Sequence, residues 1–355
     1  MSLIIVSTDR FAEHQTPPGH PECPDRAHVF DAIAARWREG GGEVVAPREA
    51  THEQLARVHD ASYIQRISET MGQAVALDPD TYTSPESYEV ARLAAGAAVD
   101  AVERVMGGPH TTAFALVRPP GHHAERHRAM GFCLFNNIAV AAAHARTLGA
   151  GRIAIVDYDV HHGNGTQHLF ETDPSVLYIS THQHPYYPGT GAADEIGVGA
   201  GEGFTVNLPI ESGATNGDYS LVFEEVILPV LRQFMPDLVL VSAGFDAHER
   251  DPLATMRLTT GCFGAMTLAL RGVAEDTCGG RMALVTEGGY DLPALGASLD
   301  AVVQALAAPR IAFLPAPGST SSPGPAWPAS VVASSRGRAS ADAAKRVLKR
   351  FWKVE

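Results

Sequence analysis

Cysteine is scarce in this chain, and none of it falls at metal or redox spacing. Cys23, Cys133, Cys262 and Cys278 are the only four among 355 residues, and no two form a Cys-x-x-Cys pair. This excludes a disulfide-stapled scaffold and a thiolate zinc ribbon, and it reads as free thiols in a reducing compartment, the cytoplasm. Long apolar runs are missing too: no stretch of about 18 apolar residues occurs, so no membrane-spanning helix is expected. The opening Met1–Ser7 has no basic n-region or cleavage site and reads as a first strand rather than a signal peptide. Positive charge is in deficit. Lys plus Arg number 27 against 40 Asp plus Glu, a formal charge of −13. That balance lacks the basic footprint of a nucleic-acid binder, and it suits cationic substrates such as basic peptides or polyamines through electrostatic steering.

With 45% hydrophobic and 19% charged residues the composition is that of an ordinary globular chain. Strand-like apolar runs alternate with helical segments through its centre, which predicts one α/β catalytic domain over residues 1–314. Helices are expected at 85–104, 137–148, 219–234 and 260–273. The Gly/Pro-rich segment 183–211 is expected to be a long loop shaping an entrance. Residues 315–339 are rich in Pro, Ser and Gly and read as a linker. Residues 340–355 read as a short basic amphipathic helix, with Val347, Leu348, Phe351 and Trp352 near one face, docking on the body.

Four apolar strands end in reactive side chains. Ile153–Val156 runs into Asp157-Tyr-Asp-Val-His-His-Gly-Asn164. Side chains two apart on a strand share a face, so Asp157, Asp159 and His161 are expected to project together. A carboxylate and an imidazole at that spacing can grip one cation, and mixed oxygen and nitrogen ligation suits Zn²⁺ or Fe²⁺ better than Mg²⁺ or Ca²⁺. Ala113–Val117 leads to Arg118-Pro-Pro-Gly-His-His-Ala124, a Pro-fixed loop with tandem histidines. Leu238–Val241 leads to Ser242-Ala-Gly-Phe-Asp246, and Ala283–Thr286 to Glu287-Gly-Gly-Tyr290. In an open α/β sheet the site lies beyond the carboxyl ends of the strands. His14, His28, His52, His59, His110, His127, His144 and His168 read as surface or packing residues, whereas His182 and His184, after another strand, are candidates for the mouth of the site.

These runs, together with Gly131-Phe-Cys-Leu-Phe-Asn-Asn137 and Pro188-Gly-Thr-Gly191, resemble the histone deacetylase family from about His20 to Ala307. The similarity is to the class II-like branch that also holds bacterial deacetylase-like amidohydrolases and acetylpolyamine amidohydrolases. The resemblance implies an arginase/deacetylase-like single domain, with a mostly parallel central sheet flanked by helices and an active site at the C-terminal ends of the strands. It implies a catalytic Zn²⁺ (or Fe²⁺) held by Asp159, His161 and Asp246. His123 would be the general base and then acid, with His122 beside it and Tyr290 donating to the oxyanion. Asp157 would accept from His122, and Asn164 from His123. Some family members carry an Asp at that last place, and a neutral amide supports an imidazolium less than a carboxylate does.

Gly131, Phe132, Tyr187, Leu253 and Gly289 would bind the acyl chain. Asp157, Asp159, His161, Ser180 and Thr181 would hold an inner structural K⁺, and Phe170, Asp173, Val176 and Phe204 an outer one. Arg26 would sit on a channel that releases acetate. Polyamine-selective relatives carry a glutamate where Leu253 falls, which favours lysine-like substrates here, although Glu249 and Asp251 lie close by. Class I relatives use an Asp near residue 83 to hold the substrate backbone, where this chain has Thr83; Asp78 and Asp80 read as turn formers. Cys133 sits beside the acyl tube, with no nucleophile role expected. The substrates are then acetylated lysine peptides or proteins, or acetylated polyamines, with no membrane or direct nucleic-acid partner and a homo-oligomer left open. A catalytically silent acyl-lysine binder and an arginase-like binuclear hydrolase are the readings from other classes. The Asp-x-Asp-x-His order suits one catalytic metal rather than two.

Overall fold

The computed structural model describes residues 2–309, 327 and 332–354. In chain order the elements are β1 (Leu3–Val6), α1 (Asp25–Glu39), β2 (Glu43–Val45), α2 (His52–Ala56), α3 (Ala61–Ser68), β3 (Val75–Ala76), β4 (Tyr82–Thr83), α4 (Ser87–Gly107) and β5 (Thr112–Ala115). They continue with α5 (Asn137–Thr147), β6 (Ile153–Asp157), α6 (Asn164–Phe170), β7 (Val176–Gln183), β8 (Thr205–Ile210), α7 (Asn216–Val222) and α8 (Leu228–Phe234). The last are β9 (Leu238–Ala243), α9 (Thr260–Cys278), β10 (Met282–Thr286), α10 (Leu292–Ala307) and α11 (Ser335–Leu348).

Eight strands form one parallel sheet in the order β2-β1-β5-β10-β9-β6-β7-β8. The central strands are buried along their whole length, which is why their sequences read as continuous apolar runs rather than as alternating ones. Alternation survives in where each side chain goes. Leu3, Ile5, Phe114, Ala154 and Val156 pack into the core on one face, and Ile4, Val6, Ala113, Ala115, Ile153 and Ile155 into the core on the other. Parallel strands all point one way, so β5, β10, β9 and β6, adjacent in the sheet, deliver their succeeding loops to a single edge. Those loops carry the four reactive clusters.

Several expectations need revision. The segment 183–211 is not all loop: β8 lies within it and closes one sheet edge, paired with β7 from Tyr178↔Thr205 to Gln183↔Ile210. The helix expected over 219–234 begins at Asn216 and is interrupted by a π-turn, Phe223–Ile227, where the Leu228 N–H reaches the Phe223 carbonyl. Pro229 comes directly after and has no N–H to continue an ordinary ladder.

The C-terminal helix runs over Ser335–Leu348 rather than 340–355. The Asp218 carboxylate explains the earlier start, since it accepts the Ser334 N–H at 2.6 Å and the Gly337 N–H at 3.1 Å. Phe351 and Trp352 fall past the helix end; the Trp352 indole N–H donates to the Gly203 carbonyl at 2.7 Å. Most of the expected linker 315–339 lies outside the described residues. The helix packs on the body through Ala341, Ala344 and Leu348, all buried.

Truncating Leu348 to Ala is expected to cost about 2–5 kcal/mol while leaving kcat intact, read as a lowered denaturant midpoint beside steady-state rates.

Candidate active site

The site starts from two loop ends. Beyond β6, Asp159 and His161 turn inward, and Asp246 meets them from beyond β9. One ligand atom from each lies within 4.8 Å of the others, and all three residues are buried. His161 Nδ1 stands 3.2 Å from both Asp159 Oδ1 and Asp246 Oδ2. Backbone donors hold the carboxylates: Val160 N–H to Asp246 Oδ1 at 2.9 Å, and Gly288 N–H to Asp159 Oδ2 at 2.8 Å. Gly288 has to lack a side chain, because a Cβ there would overlap the Asp246 and Asp159 carboxylates. Two buried carboxylates against one imidazole leave negative charge in a medium that penalises it. A dication answers that, and a coordinating imidazole would shed its extra proton to bind it.

Asp157 does not join this group. The strand ends at Asp157, so two-residue alternation no longer governs the residues beyond it. Its Oδ2 turns instead to His122 Nδ1, 2.9 Å away, and accepts from the Tyr178 hydroxyl at 3.1 Å. The neighbouring imidazole has a different partner, with His123 Nδ1 2.7 Å from Asn164 Oδ1. The two rings, 4.1 Å apart, are driven in opposite directions. For His122, burial opposes the charged form, but the Asp157, Asp159 and Glu287 carboxylates outweigh it and hold the ring well above the usual histidine range. For His123, burial and the positive neighbours His122 and His161 push the ring well below it. Titratable pairs split by environment in this way are the mark of acid–base sites.

Glu287 pins the histidine loop from beneath, a role its sequence position did not suggest. Its Oε2 accepts the Gly121 N–H at 2.6 Å and the His122 N–H at 3.1 Å, and its Oε1 accepts from the Ser242 hydroxyl at 2.9 Å. Burial pushes its carboxyl up to about 7.

A narrow pocket of about 80 Å³ opens above this floor, lined by His122, His123, His161, Gly131, Phe132, Tyr187, Leu253, Gly288, Tyr290, Pro120 and Asp80. Tyr187 stands edge-on to His123 at 5.1 Å, and Phe132 edge-on to Tyr290 at 5.9 Å. Gly131 (φ +57°) takes a left-handed turn, and a Cβ there would run into the His123 ring. Phe132 adopts φ +69°, a strained conformation for a bulky residue that recurs in ligand clamps. Burial and then Asp246 hold the Tyr290 hydroxyl well above its usual range, so it keeps its proton to donate.

Four placements differ from expectation. Gly288, not Gly289, lines the pocket; Gly289 abuts Phe245, and its carbonyl faces away to accept from Arg26 at 2.8 Å. Asp80, expected as a turn former, does take the Asp78 carboxylate on its N–H at 3.0 Å, yet it also lies on the pocket wall. Thr83, below it, is buried and bonds to Val75. His182 is buried away from the mouth, between the Ser180 hydroxyl (2.9 Å) and the Gly191 carbonyl (2.9 Å), and neither it nor His184 lines the pocket. Cys133 is buried, and its thiol is raised well above its usual range by that burial.

Behind the pocket Arg26 is wholly buried. It donates to the Gly289 and Glu287 carbonyls, pairs with Glu22 at 3.0 Å, and its guanidinium lies 5.1 Å from the Tyr290 ring centroid. Arg118 grips the same Glu22 with two bonds of 2.8 Å. On the opposite side Asp251 Oδ2 accepts the Tyr290 N–H at 2.6 Å, while its Oδ1 accepts the Leu253 N–H at 3.0 Å. One carboxylate therefore braces the rim and the tyrosine loop together. Of the residues expected at alkali-ion sites, Ser180 lies opposite Asp157 in the β6–β7 register, and the buried Thr181 hydroxyl meets no hydrogen-bond partner of good geometry among the described residues. Asp173, expected at an outer site, is occupied by Arg146 and Ser175.

A parallel α/β sheet with this strand-end site defines a deacetylase-type fold, and the comparisons agree. The Histone deacetylase domain profile matches residues 20–306. The chain is 45% identical over 294 residues to histone deacetylase 15 of Arabidopsis thaliana, covering 81% of this chain and 52% of that one. It is 44% identical over 305 residues to polyamine deacetylase HDAC10 of Homo sapiens, covering 81% and 45%. The crystal structure of the HDA15 HD domain superposes with a TM-score of 0.88 at 38% identity, over 99% of this chain and 95% of that one. The chain belongs to the histone deacetylase family. It spans about half the length of these two curated relatives. Among the described residues no helix is long and apolar enough to cross a membrane.

In metal-free protein, ring ¹⁵N shifts are expected to show His123 neutral at and below pH 6.5 and His122 still protonated above it. A common midpoint for the two rings would refute the split.

Proposed function

We propose that this chain hydrolyses an N-acetyl amide on a lysine-like side chain, releasing acetate and a free amine. The observation that carries this reading is the pocket itself. At about 80 Å³ it is far smaller than the several hundred Å³ typical of small-molecule sites, and its lining includes His122, His123 and His161, the last a member of the group that could hold a metal. Such a tube suits a slim methylene chain held between the Phe132 and Tyr187 rings. Family membership and the names of the relatives support the same chemistry.

Asp159, His161 and Asp246 would hold a Zn²⁺, or equally a Fe²⁺, since oxygen and nitrogen donors suit both. When bound, the ion supplies a Lewis acid for the acyl carbonyl and acidifies the attacking water. The chain's residues do the rest. His123, kept neutral, takes the water's proton on Nε2, because Nδ1 is committed to Asn164. The same nitrogen then hands a proton to the departing amine, which cannot leave as an anion. His122, held charged by Asp157, stabilises negative charge building on the reacting centre. Tyr290 donates its O–H to the oxyanion. Asp251 and Arg26 hold the Tyr290 loop and ring in place. Arg26, buried among carbonyls behind the pocket, would border the exit for acetate.

Among the described residues only one group of three side chains can hold a metal, which favours a mononuclear site over the arginase-like alternative. The intact set of Tyr290, His122 and His123 disfavours a silent binder. A structural K⁺ near Asp157, Asp159, His161, Ser180 and Thr181 fits the unpartnered Thr181 hydroxyl. Composition supports a cytoplasmic setting without nucleic-acid partners: the cysteines have no disulfide or Cys-x-x-Cys spacing and the formal charge is −13.

An acetylpolyamine hydrolase is the second reading, favoured by Asp80 on the pocket wall and by one relative's name. Leu253 speaks for lysine-like substrates, since it gives that part of the rim an apolar surface.

Two measurements test these assignments. Tyr290→Phe is expected to lower kcat about 100–1000-fold with little change in KM; undiminished turnover would remove the oxyanion role. With metal-loaded enzyme, kcat/KM for an acetyl-lysine peptide is expected to exceed that for N-acetylputrescine or N-acetylspermidine by more than about tenfold, roughly 1.4 kcal/mol. The reverse order would make the polyamine reading correct.

A further inference from the structure

We propose that Glu125 is a positioning residue that fixes the orientation of the Asn164 amide and, through it, the tautomer of His123. The inference rests on His123 being the general base, and its evidence is a chain of hydrogen bonds leading out of the pocket. His123 Nδ1 is 2.7 Å from Asn164 Oδ1. The other end of that amide, Asn164 Nδ2, is 2.5 Å from Glu125 Oε1. The same Glu125 oxygen is 2.8 Å from His168 Nδ1. The path leads from the interior outward: His123 and Asn164 are buried, whereas the Glu125 side chain is 14% exposed and that of His168 41%.

An Asn side chain has a donating and an accepting end of nearly equal shape, so nothing in the amide itself decides which end faces the histidine. That choice matters. If the carbonyl faces His123, Nδ1 must carry the proton and Nε2 keeps the lone pair that accepts a proton from water. If the NH₂ faces His123, Nδ1 must accept, the proton sits on Nε2, and the ring cannot serve as a base on the pocket side. Glu125 settles the choice because an ionised carboxylate can only accept. It draws the NH₂ outward and leaves the carbonyl for the ring. The other acceptors near Asn164 Nδ2 are weaker: the His123 carbonyl and the Met130 sulfur, each at 3.4 Å.

Glu125 is itself held. Its N–H donates to the Arg128 carbonyl at 2.9 Å, and its own carbonyl bonds to His59 Nδ1 at 3.0 Å. His168 reaches the carboxylate because it lies one helical turn beyond Asn164 on α6, on the same face. Where other family members place an Asp directly on the histidine, this chain puts a neutral amide there and moves the carboxylate one residue further out. The orientation is preserved without a full negative charge against the base.

The test uses Glu125→Gln and Glu125→Ala in the full chain, each alone and combined with Asn164→Asp. An Asp at that position accepts with both oxygens and needs no outside group to orient it. In the native Asn164 background, Glu125→Ala is expected to lower kcat about 10–100-fold with KM within about twofold. Ring ¹⁵N shifts should show His123 moving from the Nδ1–H toward the Nε2–H form. In the Asn164→Asp background, Glu125→Gln is expected to leave the tautomer unchanged and to raise kcat, because it removes a like charge beside the new carboxylate. An unchanged tautomer and kcat in Glu125→Ala would overturn the proposal. So would an equal loss from Glu125→Gln in both backgrounds, which is what a merely structural role predicts. His123→Ala keeps the two claims apart: if it retains full turnover, the base assignment fails, whereas the tautomer readout judges Glu125 independently.

Discussion

Buried negative charge is the constraint around which this molecule is arranged. Glu22, Asp157, Asp159, Asp246, Asp251 and Glu287 are all nearly or wholly excluded from solvent, and all lie at or just behind the C-terminal edge of one parallel sheet. Each has its own answer to the cost of desolvation. Glu22 is gripped by two guanidinium groups, and its carboxyl is held down at about 2 by Arg118 and Arg26 despite complete burial. Glu287 is just as buried but meets backbone and hydroxyl donors instead of a guanidinium side chain, and its carboxyl rises to about 7. Asp251, also raised to about 7 by burial and by Asp246, satisfies the N–H groups of the tyrosine loop. Asp157 takes a histidine. Asp159 and Asp246 share one imidazole, His161, beside their backbone donors, so the least matched charge falls at the group that could hold a metal.

This distribution explains what could be read from the sequence. Chemistry at strand ends was legible because a buried parallel strand is a continuous apolar run, and the polar residue that stops it is conspicuous. Asp159, His161, Asp246, His122, His123 and Tyr290 were all singled out in this way, and the structure brings them to one sheet edge. The placements that failed depend on turns or on distant partners. Asp157 was expected to project with Asp159 and His161 by an alternation that ends with the strand, although its pairing with His122 is as expected. Gly289 was chosen over Gly288 because adjacent glycines look alike until φ and neighbours are known. β8 was hidden in a Gly/Pro-rich stretch, since its edge position tolerates Pro209. The start of α11 is set by Asp218, 116 residues before Ser334, and no local signal carries that.

The rim is assembled by a similar distant contact. Leu253 and Tyr290 belong to loops after different strands, yet Asp251 bonds to the backbone of both. The rim leucine and the pocket tyrosine are thus positioned by one carboxylate. A change at the rim that disturbs Asp251 reaches the chemistry, whereas a side-chain change at Leu253 alone does not alter its N–H contact. Asp80, also on the pocket wall, has other partners: it answers to the Asp78 turn and to His20, whose Nε2 bonds to its carbonyl at 3.1 Å.

The two adjacent histidines show the same logic at the smallest scale. They have one side-chain type, neighbouring positions and nearly equal burial, and the protein separates them by the charges and partners around each ring. His122 faces a carboxylate and is kept charged. His123 faces an amide, beside two positive rings, and is kept neutral. A base must be neutral before it acts and charged afterwards, so its partner has to fix geometry without holding the charge in advance. An amide held by a more distant carboxylate meets both demands, and the isolated motif His-His gives no hint of it: the information lies in Asn164 and Glu125, one on the helix after β6 and the other three residues past His122.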